Sequence, residues 1–357
     1  MLLADHTTLV QFLIEERRRF PEASGELNAV ILDVALACKA IARAVAHGAL
    51  ANAPGGQPGE SGAGTVARRV THAANEIFLH TSEWGGHLAG MLAPNRASPL
   101  RVPQTYPKGK YLLLFDAIDR PANLEVNVPV GSLFSVHRAP RPGIEAEAAD
   151  FLQPGARQIC AGYALYGPAT MLVLTVGSGV HGFTLDPGLG EFVLTHPRIQ
   201  LPQETGTLAI GSSNSRDWEP AVKRYVDECM AGRSGPRGKD FDMRWVASLV
   251  AELHRILMRG GVFLYPRDSR DGSGRGRLGL LCDANPAAFV IEQAGGRAST
   301  GQQRVLDLVP ESPDQRVALM FGAASEIERL ELYHRDHNER EYDAPLFGAR
   351  GLFRATG

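Results

Sequence analysis

The strongest constraint on this chain is a short, unbroken apolar run that ends on acids. Tyr111-Leu-Leu-Leu-Phe115 follows Gly109-Lys110 and runs into Asp116, with Asp119 three residues later. Five consecutive apolar residues leave no polar face, so the run reads as a strand buried on both sides. Such a strand needs covering layers above and below it. The chain is long enough to supply them: its 357 residues suffice for about two domains or one large layered unit. Apolar residues make up 44% and charged residues 21%, which excludes a disordered or fibrous chain.

The covering layers are visible in the pattern. Leu27, Val30, Ile31, Val34, Ala37, Ile41 and Val45 recur at helical spacing, so residues 26–47 read as a helix with one apolar face. Residues 52–64 are rich in Gly and Pro and read as an exposed loop, and the helical pattern resumes over 65–81. Thr170–Val176, Val180–Leu185 and Phe192–Leu194 lie between Gly/Pro turns and read as antiparallel strands. Met243–Met258 reads as a helix, with Met243, Val246, Leu249, Val250, Leu253, Ile256 and Leu257 on one stripe. Gly260-Gly261 stops it, and Gly261–Tyr265 reads as another strand. Asn285-Pro286 supplies a cap and a first-turn proline for a further helix that ends at Gly295-Gly296. Helices mixed with buried and antiparallel strands give a layered α/β class.

Charge and cysteine content narrow the function classes. Lys plus Arg number 37 against 39 Asp plus Glu, and a net charge of -2 gives no electrostatic reason to expect a nucleic-acid partner. No apolar stretch approaches the ~18 residues of a membrane span, and the N-terminus lacks the basic-then-apolar pattern of a signal peptide. Cys38, Cys160, Cys229 and Cys282 are scattered and read as free thiols, so a cytoplasmic protein is expected.

Three segments invite a chemical reading. Gly274-Arg-Gly-Arg-Leu-Gly279 matches the dinucleotide-binding spacing, but an extended-looking Leu280-Leu281-Cys282-Asp283 follows it instead of a helix. It therefore reads as a basic loop. Asp116 and Asp119 sit where a buried strand ends, and ligands of α/β folds gather beyond strand carboxyl ends. Two carboxylates three residues apart on a turn can converge on a hard cation such as Mg²⁺, or can cap the turn. Asp283, just before Asn285-Pro286, reads by itself as a charge at a helix N-terminus. The 11 histidines form no zinc motif.

The segments around these residues, taken together, resemble class I fructose-1,6-bisphosphatases of the bacterial type. The similarity lies in residues 109–138, 151–186, 218–229, 243–266 and 285–296, in order, and spans about residues 7–334. It implies a layered α-β-α-β-α sugar-phosphatase fold with mixed sheets, in an N-terminal half (1–200) and a C-terminal half (201–357). It further implies Mg²⁺-dependent hydrolysis of a sugar bisphosphate in carbohydrate metabolism, and a homotetramer.

Residue by residue, the resemblance makes Asp116 and Asp119 the catalytic acids. The metal ligands become Asp116, Ile118 through its carbonyl, Asp119 and Asp283. The family's metal turn reads DPLDGSSN; here it reads Asp116-Ala-Ile-Asp119-Arg120-Pro121-Ala122-Asn123. The Gly-Ser-Ser that cradles the phosphate is therefore replaced. Two further family glutamates fall on Pro94 and Asn95, and an upstream aspartate falls on Thr71. One Mg²⁺ ion is thus expected rather than several, with impaired turnover. A silent, ligand-binding or regulatory member is the alternative. Substrate-contacting positions fall on Asn214, Arg244, Trp245, Tyr265 and Arg277. The family's allosteric AMP pocket falls on Ser24, Gly25, Glu26, Leu27, Lys110, Tyr111 and Arg138.

Overall fold

The apolar run is the core of a nine-residue strand, β2 (Tyr111–Asp119), in a seven-stranded sheet. The computed structural model describes residues 7–19, 25–48, 64–96, 98–267 and 274–337. The sheet runs in chain order: β1 (Leu88–Leu92), β2, β3 (Val130–Arg138), β4 (Cys160–Tyr166), β5 (Thr170–Thr175), β6 (Val180–Asp186) and β7 (Glu191–Ile199). Only β1 and β2 pair in parallel; the remaining pairs are antiparallel. The three strands anticipated over 170–194 are β5, β6 and β7.

Both faces of this sheet are covered, which is why its central strands lack polar alternation. On one side pack α1 (Leu9–Arg19), α2 (Glu26–His47) and α3 (Thr65–Ser82), against Leu113, Phe115, Phe134, Leu172 and Leu174. Phe78 of α3 stacks on Phe115 at 4.5 Å between ring centres. On the other side lie α5 (Leu249–Arg259) and α6 (Asn285–Gln293), against Leu133, Ala161, Tyr163 and Val173. Burying each such side chain stabilises by about 1.5–3 kcal/mol relative to exposure.

The second sheet has the order β12 (Arg297–Ser299), β14 (Leu319–Gly322), β10 (Val262–Tyr265), β8 (Thr207–Ile210) and β9 (Asp242–Met243). It mixes parallel and antiparallel pairs. Phe263, Leu319 and Phe321 face α5 and α6, while Leu208, Ile210, Val262, Leu264 and Met320 face α4 (Pro220–Met230) and α7 (Ala324–His337). The layers therefore run α-β-α-β-α, as the resemblance implies. A two-stranded ribbon, β11 (Leu278–Gly279) with β13 (Arg316–Val317), flanks the middle layer. No helix among the described residues is long and apolar enough to cross a membrane.

Four local expectations change. Asp116 and Asp119 lie on strand β2 itself, not on a turn beyond it. The helix expected from Met243 starts at Leu249, because Asp242–Met243 pair as a strand and Ser248 caps the helix. Leu280–Ala284, expected to be extended, forms a π-turn that runs straight into α6. Asn285 is then already helical, so it does not cap; its side chain is fully buried. The loop expected over 52–64 lies, but for Gly64, outside the described residues, as does Ser24.

One buried group fixes an acid limit on this fold. His137 on β3 is 1% exposed, neither ring nitrogen has a partner, and burial lowers its pKa from 6.5 to about 4. The folded state binds the proton less readily than the unfolded state. The neutral ring's contribution is therefore present above pH 6.5 and is lost as pH falls through 4. A shift of this size corresponds to about 3 kcal/mol. His137→Leu should reduce, by about that amount, the stability that wild type loses between pH 7 and pH 4. Guanidinium unfolding at the two pH values measures it.

Candidate active site

The site is built where β2 ends against the start of α5. An irregularity in the β2–β3 pairing falls between Asp116 and Asp119. In a regular strand, residues three apart point to opposite faces; the irregularity re-aims one of them, so both line the same cavity. The cavity has a volume of about 480 Å³. Asp283 joins them from the π-turn before α6, and Ile118 also lines the wall.

Each acid is held differently. Asp119 is 6% exposed; its Oδ2 accepts hydrogen bonds from Ser248 Oγ at 2.8 Å and from the Val250 N–H at 3.1 Å. Both donors belong to the first turn of α5, whose free N–H groups and dipole favour an anion. The approach is close because β3 carries Gly131 opposite Asp119; a Cβ there would overlap Val250. Asp116 Oδ1 accepts from the Ile118 N–H at 3.2 Å. Asp283 Oδ2 accepts from the Gly279 N–H at 2.8 Å, while its Oδ1 is buried without a partner.

Burial raises the pKa of all three carboxyls. For Asp116 the rise is large, and the charges of Asp283 and Asp119 add to it. Asp283 is pushed up to about 6 by burial and by Asp119; the Gly279 N–H, Arg316 and Arg120 oppose the rise. In Asp119 the α5 donors and Arg120 offset part of the burial effect. Asp283, half-buried, is therefore not an isolated charge at the start of α6 but part of an acidic cluster lining one cavity with Asp116 and Asp119.

Crowded, buried acids with an orphaned oxygen are the donor chemistry a hard cation satisfies. Few carboxylates are left to such an ion. Asp119 Oδ2 is committed to α5, and no group of three or more Asp, Glu, His or Cys among the described residues is placed to hold a metal. Asp116 and Asp283 remain as a carboxylate pair, a number that suits Mg²⁺ completed by water and substrate oxygens. The substituted positions lie here too: Thr71, Pro94 and Asn95 line the same cavity.

The other anticipated residues divide. Tyr265 and Arg277 line the cavity; Trp245 does not, but it stacks on Tyr265 at 6.2 Å between ring centres. Asn214, in a short helical turn over 212–217, and Arg244, with 62% of its side chain exposed, are not among the cavity-lining residues. At the start of α2, Gly25 provides no side-chain cap, Leu27 packs on the core and Glu26 pairs with Lys110 at 3.1 Å. Tyr111, beside Lys110, pairs across the sheet with Arg138. The structure thus gathers Glu26, Lys110, Tyr111 and Arg138.

Three participants escaped the sequence reading. Ser248 carries a signal, a serine before an apolar helical run, but the apolar stripe beginning at Met243 runs across it. Arg316 lies in a segment with no motif. Arg120 appears in the sequence only as one of the residues standing in place of the family's Gly-Ser-Ser. It in fact adopts the left-handed conformation (φ 52, ψ 61), which costs an L-residue about 1–2 kcal/mol, and its guanidinium donates to Tyr265 OH at 2.7 Å.

Comparison with known proteins gives a consistent picture. Residues 7–197 match the family described as fructose-1-6-bisphosphatase, N-terminal domain, and residues 201–335 match its C-terminal domain. The chain is 57% identical over 351 residues to a class 1 fructose-1,6-bisphosphatase of Methylibium petroleiphilum, covering 98% of each chain. It is equally similar, with the same coverage, to one of Hydrogenophilus thermoluteolus. The relative from Rhodospirillum rubrum is 51% identical over 99% of this chain and 100% of its own. A crystal structure of Leishmania major fructose-1,6-bisphosphatase in holo form superposes with a TM-score of 0.82 at 30% identity, covering 93% of this chain and 99% of that one.

The Ser248 contact is directly testable. Ser248→Ala removes both a helix cap, whose Oγ accepts from the Ala251 N–H, and a donor to a buried carboxylate. It should lower stability by about 2 kcal/mol in urea unfolding, and Ser248→Thr should restore most of the loss.

Proposed function

Since the chain belongs to the class I fructose-1,6-bisphosphatase family, we propose that it hydrolyses fructose 1,6-bisphosphate to fructose 6-phosphate and inorganic phosphate. The observation that carries the reading is the meeting of Asp116, Asp119 and Asp283, from both halves of the fold, in one cavity. Asp116 and Asp283, with the Ile118 carbonyl, would hold one Mg²⁺. When bound, the ion supplies Lewis-acid polarisation of the phosphoryl oxygens. Asp119, fixed by α5 through Oδ2, keeps its second oxygen to orient the attacking water. Tyr265, Arg277 and Trp245 form the sugar side, with Asn214 and Arg244 as outer contacts.

The rate should be low. Phosphoryl transfer depends on positioned charge. Here Pro121 has no N–H to offer and Ala122 no hydroxyl, and Pro94 and Asn95 supply no carboxylate. Losing a single positioned donor already slows many enzymes about 100-fold or more. Phosphate release from fructose 1,6-bisphosphate with Mg²⁺ should therefore run at least about 100-fold below a typical ~10 per second. Asp119→Ala should abolish it. Release that persists in Asp119→Ala, or none from wild type, would favour the silent-subunit reading.

The finer features of the resemblance belong to the same proposal. AMP would bind at the start of α2, where phosphate needs free N–H groups and cations. There Lys110 already pairs with Glu26. The four cysteines are buried free thiols, in keeping with a cytoplasmic setting. A homotetramer is proposed, and light scattering at micromolar concentration should give about four times the 38.5 kDa chain mass.

A further inference from the structure

The acids of the cavity are matched by arginines that no part of the reading above uses, and the inference drawn from them rests on that reading's sugar-bisphosphate substrate. Arg316 is fixed at one wall: its Nη2 donates to Asn95 Oδ1 at 2.7 Å and its Nη1 to the Arg277 carbonyl at 2.6 Å. Asn95 is one of the two positions where the resemblance leads one to expect a glutamate. A neutral side chain there, with a guanidinium docked on it, replaces negative charge by positive charge. Arg120 lines the same cavity, its guanidinium on Tyr265 OH and 5.7 Å from the centre of that ring. It spans from the end of β2 in the first half to β10 in the second. It holds this position from a left-handed backbone that glycine would occupy more easily, and strain of this kind gathers where a side chain is used. Asp283 lies within the electrostatic reach of both arginines.

We propose that Arg120 and Arg316 form a guanidinium clamp for the phosphoryl group that sits over Asp116 and Asp283. Guanidinium is always charged and offers five N–H donors in a planar fork suited to phosphate; the contacts above use one donor of Arg120 and two of Arg316. The clamp supplies fixed positive charge in a cavity whose acids suit one metal ion. Substrate affinity here therefore depends less on divalent cations than the chemistry does. Arg120, which contacts Tyr265 on the sugar side, also sets the position of the phosphoryl group relative to the sugar.

Calorimetric titration with fructose 1,6-bisphosphate, in Mg²⁺ and separately in excess EDTA, tests the clamp. Wild type should bind in EDTA within about 3-fold of its affinity in Mg²⁺. Arg120→Ala should weaken bisphosphate binding at least about 10-fold in EDTA while changing fructose 6-phosphate binding by less than about 2-fold, because the second ligand lacks the clamped group. Arg120→Gly relieves the backbone, so it should show the same loss of affinity with no fall in Tm, which separates the clamp from a folding defect. Loss of all binding in EDTA, unchanged affinity in Arg120→Ala, or equal losses for both ligands would each overturn the proposal. Failure of the phosphatase reading is distinguishable. A protein that binds bisphosphate through Arg120 but releases no phosphate keeps the clamp and loses the activity; one that releases phosphate but binds only with Mg²⁺ does the reverse.

Discussion

The Asp119 carboxylate, buried at the N-terminus of α5, is the contact on which the arrangement of the site depends. It ties the end of a strand in the first sheet to a helix of the middle layer through Ser248 Oγ and the Val250 N–H. A buried carboxylate left unpaired is strongly unfavourable, and a helix N-terminus left bare is also unsatisfied. Each group removes the other's penalty. Gly131 permits the contact, since any Cβ at that position would push Val250 and α5 away. Because α5 continues into β10, the same contact fixes where Tyr265 stands relative to Asp116.

The cavity follows from this anchoring. Acids from β2 and from the π-turn before α6 converge on it, and burial together with their mutual repulsion raises their pKa values. The charge is then partly offset from the rim, by Arg120 and Arg316. Substitutions that look scattered along the chain, at 71, 94, 95, 120 and 121, prove to be neighbours in one cavity.

Much of the framework was legible because its signals are local. Helix α2 announces itself through seven apolar positions on one face, and the double coverage of β2 through a run without polar alternation. The start of α5 lies several residues beyond where the apolar stripe begins: Met243 pairs with β8 as a strand, and the Ser248 cap starts the helix only after Val246. The π-turn at 280–284 was unreadable for a similar reason. Its residues are all buried except Asp283, and nothing in Leu-Leu-Cys-Asp-Ala distinguishes a strand from a wide turn.

The sequence by itself determined the layered α/β class, the family, the buried strand and the identity of the three acids. These depend on side-chain type and short-range periodicity, which are written in order along the chain. The tertiary structure decided how those acids are used. It showed that Asp119 is spent partly on α5, that Asp283 belongs to the acidic cluster and not to a helix start, and that Arg120 and Arg316 face the same cavity from walls 196 positions apart in sequence. Those facts arise from charges brought together by packing across the two halves. The energy of a buried charge depends on every neighbour it meets, near or far along the chain.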